Sequence, residues 1–125
     1  MQKRLYSIRG ASCAENTAES ITDAVREMCS KLFRENSISG DDIVNIIFSM
    51  TADLDALNAA TALRRADTGT DTSSVPLFTA QEASIKGMLP KVIRVMITAY
   101  LPEGTKVKPV YINGAQALRP DFAQS

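Results

Sequence analysis

Between Ala18 and Asn36, Ile21, Val25, Met28, Leu32 and Phe33 recur at helical spacing among charged residues, which predicts an amphipathic helix. Asn16 stands where an N-cap belongs, and Glu19 answers it across the first turn. Strand patterns surround this helix. Leu5 to Ile8 reads as a first strand stopped by Gly10, and Ile43 to Met50 as a second. ADLDALNAATALRRA, with Asp53 near its start, is rich in Ala and Leu and reads as a second helix. TGTDTSS is a polar surface loop. Val75 to Thr79 is a short third strand, followed by a turn region with Gly87 and Pro90. Lys91 to Tyr100 is a β-branched strand, and Val107 to Asn113 is the last one. The tail from about residue 114 is expected to be only partly ordered.

The order β-α-β-α-β-β-β predicts an α+β (mixed α/β) fold in one domain spanning residues 1–125. Two helices against a mixed sheet leave its other face and its edges uncovered. A chain this short often manages that by assembling into an oligomer.

Composition narrows the function. The charges balance, 14 basic against 14 acidic, and no basic block argues for a nucleic-acid or membrane-surface partner. No apolar run is long enough to span a bilayer, and MQKRLYSIRG lacks the apolar core of a secretory signal. Cys13 and Cys29 do not make a disulfide framework. A cytosolic (cytoplasmic) protein is the plain reading. Histidine is absent, which removes serine–histidine and cysteine–histidine nucleophilic sites and any histidine metal site.

Several arginines occupy unusual places. Arg94 interrupts KVIRVMITAY, sharing a strand face with Val92 and Met96. A guanidinium there either reaches water at an edge or meets an anion. Arg9 ends the first strand, as a solvated strand end or as a ligand contact. Arg64 and Arg65 close the second helix, where they also suit its C-terminal dipole. Arg119 lies in the tail as a surface charge or as part of a site. Glu82 sits in the turn after the third strand, and Tyr111 on the last strand. Arginines kept at strand positions in a neutral protein suit a small ligand with more than one carboxylate, because the planar fork grips both oxygens.

Taken together, SIRGA at Ser7 to Ala11, SMTADLDA at Ser49 to Ala56, VPLFTAQE at Val75 to Glu82, IRVMITA at Ile93 to Ala99, VYI at Val110 to Ile112 and LRPD at Leu118 to Asp121 resemble one family. It is the small bacterial monofunctional chorismate mutase of the mixed α/β class, not the all-helical one. The resemblance runs in order over nearly the whole chain. It implies a homotrimer with a pseudo-α/β-barrel of mixed sheets, active sites between subunits, and rearrangement of chorismate to prephenate with no cofactor and no metal. Arg94 matches the arginine that bonds the ether oxygen, and Glu82 the glutamate that accepts from the ring hydroxyl. Arg9 and Tyr111 match the groups that hold carboxylates. Thr79, Arg64, Leu118 and Arg119 match further substrate-binding positions.

The chain departs from the family pattern at three places. Thr79 stands where a cysteine is usual, Phe78 where a small polar residue is usual, and Asn58 where an aromatic residue is usual. TGTDTSS is also longer than usual. Two other readings stand beside the mutase: an imine deaminase of the reactive-intermediate type, and a non-catalytic trimeric binder of the same fold.

Overall fold

The computed structural model describes residues 2–122. Its elements are β1 (Lys3–Cys13), α1 (Ala18–Glu35), β2 (Ile43–Met50), α2 (Ala59–Arg65), β3 (Leu77–Gln81), β4 (Val92–Pro102) and β5 (Val110–Ile112). Short 3-10 turns follow β5 at Ala115–Leu118 and Pro120–Phe122. The remainder of the tail lies outside the described residues.

All five strands join one sheet in the order β3-β2-β4-β1-β5. β4 pairs antiparallel with both β1 and β2, while β5 joins β1 and β3 joins β2 in parallel. One face packs under the helices. Ile8, Ile46, Phe48, Ile93, Val95 and Ile97 point there and meet Ile21, Val25, Met28 and Leu32 of α1 and Leu63 of α2. Each fully buried side chain of this size contributes about 1.5–3 kcal/mol.

Ile93, Val95, Ile97 and Ala99 of β4 are buried on this face, and Val92 is buried on the opposite one against Tyr111 and Ala115. Arg94, Met96 and Tyr100 point to the opposite face, which neither α1 nor α2 covers. Leu5, Ile47 and Phe78 are exposed on that same face.

Several elements differ from the sequence expectation, each because a distant partner intervenes. β1 runs past Gly10 because β4 pairs with its whole length. The α1 N-cap is Thr17, whose hydroxyl accepts from Ser20 N at 3.0 Å. Asn16 instead accepts from Asp55 N and Ala56 N, tying the approach to α1 to the segment before α2. α2 is only 7 residues long and starts at the Asn58 cap. Asp53 does not begin that helix; its carboxylate accepts from the Thr51 hydroxyl and the Lys91 N–H. β3 lies two residues later than expected, in parallel register with β2. β5 starts at Val110 because Lys108 spends its N–H and C=O on the Asn36 side chain.

Gly10 marks the closest approach of β1 to α1. A Cβ there would stand 2.9 Å from Leu32 Cδ1 and 3.2 Å from both Val110 O and Val95 Cγ1. Gly10→Ala is expected to destabilise the protein by about 1–3 kcal/mol through overpacking, read as a lower denaturant midpoint with an unchanged slope.

Candidate active site

The cross-strand register builds the site. Ser49 on β2 pairs with Arg94 on β4, Arg94 with Ala11 on β1, and Ala11 with Tyr111 on β5. The next rung sets Ile47 beside Met96 and Met96 beside Arg9. Period-2 alternation turns both rungs to the open face. There Arg9, Ile47, Ser49, Arg94, Met96 and Tyr111 enclose a cavity of about 260 Å³ with Gly10, Ala11 and Val95 at its floor.

Glu82, at the end of β3, stands beside this cavity and contacts two of its residues, Arg94 and Ser49. Its N–H donates to Met50 O at 2.8 Å, which extends the β2–β3 ladder by one residue. Its side chain is 14% exposed and stands 2.7 Å from Arg94 Nε as an ion pair. A carboxylate this covered needs compensation, and Arg94 supplies the charge. The Ser49 hydroxyl adds a hydrogen bond of 2.7 Å to the same oxygen, Oε1. The Arg94 Nη groups make no hydrogen bond among the described residues, and Arg9 has neither a hydrogen bond nor an ion pair among them.

Tyr111 is buried against Ala11, Val92 and Ala115, with Leu118 packed beside them. Arg119 returns toward the same place. Asp121 grips it through two bonds, at 3.1 and 2.8 Å, and raises its pKa, with the Tyr111 side chain as a lesser partner. The structure thus brings Arg9, Arg94, Glu82, Tyr111, Leu118 and Arg119 to one region.

Thr79 and Arg64 lie elsewhere. Thr79 pairs beside Phe48, so it points to the helix face of the sheet. Its hydroxyl donates to Asn58 Oδ1 at 2.8 Å at the start of α2. Arg64 donates to the carbonyls of Thr72 and Val75, pinning the long loop before β3. A second cavity of about 300 Å³ lies by Thr79, Asn58 and Gln81. Within one chain these two groups of residues do not face each other.

Ser49 escaped the sequence reading, although it stands in the quoted SMTADLDA. Its only signal is a polar residue at the end of an apolar strand, which many strands share.

The first group can hold a small dianion: two guanidiniums for anionic oxygens, a carboxylate for a hydroxyl, and apolar walls. No helix among the described residues is long and apolar enough to cross a membrane.

Comparison with known proteins agrees with this chemistry. The sequence model of the family "Chorismate mutase type I" matches residues 5–122. Chorismate mutase AroH of Thermus thermophilus is 37% identical over 119 residues, covering 92% of this chain and 93% of that protein. Chorismate mutase AroH of Bacillus subtilis is 34% identical over 122 residues, covering 95% and 93%. A solved chorismate mutase from Clostridium thermocellum superposes with a TM-score of 0.82 at 36% identity, covering 90% of this chain and 98% of that one.

Two outcomes follow from the charges. Burial pushes the Cys29 thiol up to about 12, so it should resist alkylation in the native protein and react only in denaturant. Arg119 holds Asp121 below the ordinary aspartate value of 3.8. A lowered folded pKa stabilises above the unfolded value and is lost as pH falls through the folded one. The tail contact should therefore persist at neutral pH and open only in acid below 3.8, followed by NMR of the Arg119 Nε–H and the Asp121 carboxyl carbon.

Proposed function

The chain belongs to the type I chorismate mutase family, and on that premise we propose which residues do the work and how copies of the chain assemble to do it. It is an isomerase that rearranges chorismate to prephenate, a step toward phenylalanine and tyrosine. The proposed location is the cytosol.

The reaction is an intramolecular [3,3] rearrangement. The ether C–O bond breaks ahead of C–C bond formation, so negative charge grows on the ether oxygen. A fixed cation aimed there stabilises the transition state more than the ground state. Arg94 fills this role: Glu82 holds its Nε edge, and its Nη groups are free to meet the ether oxygen and a carboxylate. Arg9 and Tyr111 grip carboxylates. Glu82 accepts from the ring hydroxyl and lies near the partly positive ring. Holding the enolpyruvyl side chain over the ring removes an entropy barrier. The observation that carries this reading is the single cavity faced by Arg9, Arg94, Ser49 and Tyr111, with the Glu82 carboxylate paired to Arg94 beside it.

The protein works as a homotrimer. Three sheets, each backed by its own helices, close their open faces into a barrel and bury Leu5, Ile47, Phe78, Met96 and Tyr100. The trimer also resolves the separation of the two residue groups. Thr79 and Arg64 of one copy complete the cleft that holds Arg94 of the next. Leu118 and Arg119 close it from the tail.

Loss of chorismate absorbance, with prephenate identified as product, tests the reading. Arg94→Ala should lower kcat by about 10²-fold or more while the trimer persists by sedimentation. Substantial turnover by that variant would remove Arg94 from its role. Binding of a transition-state analogue without turnover by the wild type would favour a non-catalytic binder. Mixing Arg94→Ala with Arg64→Ala after reversible dissociation should regain activity, because some mixed clefts take both intact halves. No regain would place each site within one chain.

A further inference from the structure

We propose that Ser49 is the positioning residue for Glu82 and sets how fast the bound substrate turns over; the inference rests on the site reading above. Two groups meet Glu82 Oε1, and they act differently. Arg94 approaches through Nε at 2.7 Å as an ion pair. The Ser49 hydroxyl, also at 2.7 Å, is the one donor in hydrogen-bond geometry to this carboxylate among the described residues. An ion pair tolerates rotation, whereas a hydrogen bond fixes direction.

The consequence concerns the other oxygen. With Oε1 held, Oε2 makes no hydrogen bond among the described residues and remains the free acceptor for a ring hydroxyl. Glu82 N–H is also bonded to Met50 O, so main chain and side chain are both referenced to β2. Ser49 and Arg94 are cross-strand partners, so one strand pair sets the cation and the aim of the carboxylate together. When Arg94 turns its charge toward a ligand, Ser49 keeps Glu82 from following it. Without the hydroxyl, a glutamate side chain with three torsions sweeps several rotamers.

The test compares Ser49→Ala and Ser49→Thr, each alone and combined with Glu82→Ala, with kcat and KM for chorismate measured separately. Ser49→Ala should lower kcat about tenfold with KM little changed. Ser49→Thr keeps the hydroxyl, suits a strand, and should recover most of the rate. In the Glu82→Ala background, Ser49→Ala should cost nothing further. Wild-type kcat in Ser49→Ala, or the same loss in both backgrounds, would overturn the inference.

A second readout does not depend on turnover. The carboxyl ¹³Cδ resonance of Glu82 should move in Ser49→Ala and return in Ser49→Thr. An unmoved resonance overturns the positioning role even if the rate falls. If the wild type left chorismate untouched, the functional reading would fall, and this resonance would still decide whether Ser49 holds the carboxylate. Should Ser49→Ala fail to fold, Ser49→Thr decides: a wild-type resonance and rate support the hydroxyl's role, and their loss overturns it.

Discussion

Eleven consecutive pairs between β1 and β4, from Lys3↔Pro102 to Cys13↔Val92, hold the rest of the molecule in place. Because side chains alternate, this register sends Ile8, Val95 and Ile97 under the helices and Arg9 and Arg94 to the open face. A slip of β1 by one residue would turn Arg9 beneath the helices and expose Ile8. The core therefore enforces the site: the apolar face cannot be satisfied unless the two arginines stand on adjacent rungs. Gly10 tightens the constraint, since a Cβ there would crowd Leu32, Val95 and the Val110 carbonyl at that register.

The site built on this register is an electrostatic one. Glu82 is nearly covered, and Arg94 compensates it while remaining about half exposed. Arg9 stands beside them with no partner among the described residues. The cleft is thus cationic by one charge before ligand arrives, and an anionic ligand completes its balance. Covering by a neighbouring copy would exclude water and strengthen every one of these interactions. The reaction needs no group to gain or lose a proton, so a site built from fixed charges and one aimed carboxylate suits it.

The same sheet explains why one chain leaves two separate residue groups. Arg9, Arg94, Glu82 and Tyr111 serve the open face, while Thr79, Asn58 and Arg64 serve the helix face near the β3 edge. No rotation of side chains joins them, because a pleated sheet lies between. Apolar residues left exposed on the open face would give a second copy a reason to dock.

Local periodicity accounts for what could be read without a structure. The 18-residue α1 and the alternation in β4 repeat a pattern many times within one segment, so both were legible. Arg94 was legible as an anomaly, since an arginine among β-branched residues breaks that pattern. The family resemblance supplied the chemistry of Arg9, Glu82 and Tyr111, which spacing alone leaves open. The rest depended on partners far away in sequence. Asp53 serves Lys91, Asn16 serves Asp55, and Asn36 serves Lys108, so the cap of α1 and the starts of α2 and β5 were misplaced. Ser49 became visible only when β2 was set beside β4 and β3. The sequence by itself determined which segments are helix or strand and which charges are out of place. The tertiary structure alone decided register, capping partners and the aim of Glu82, because those follow from contacts between segments that no local pattern encodes.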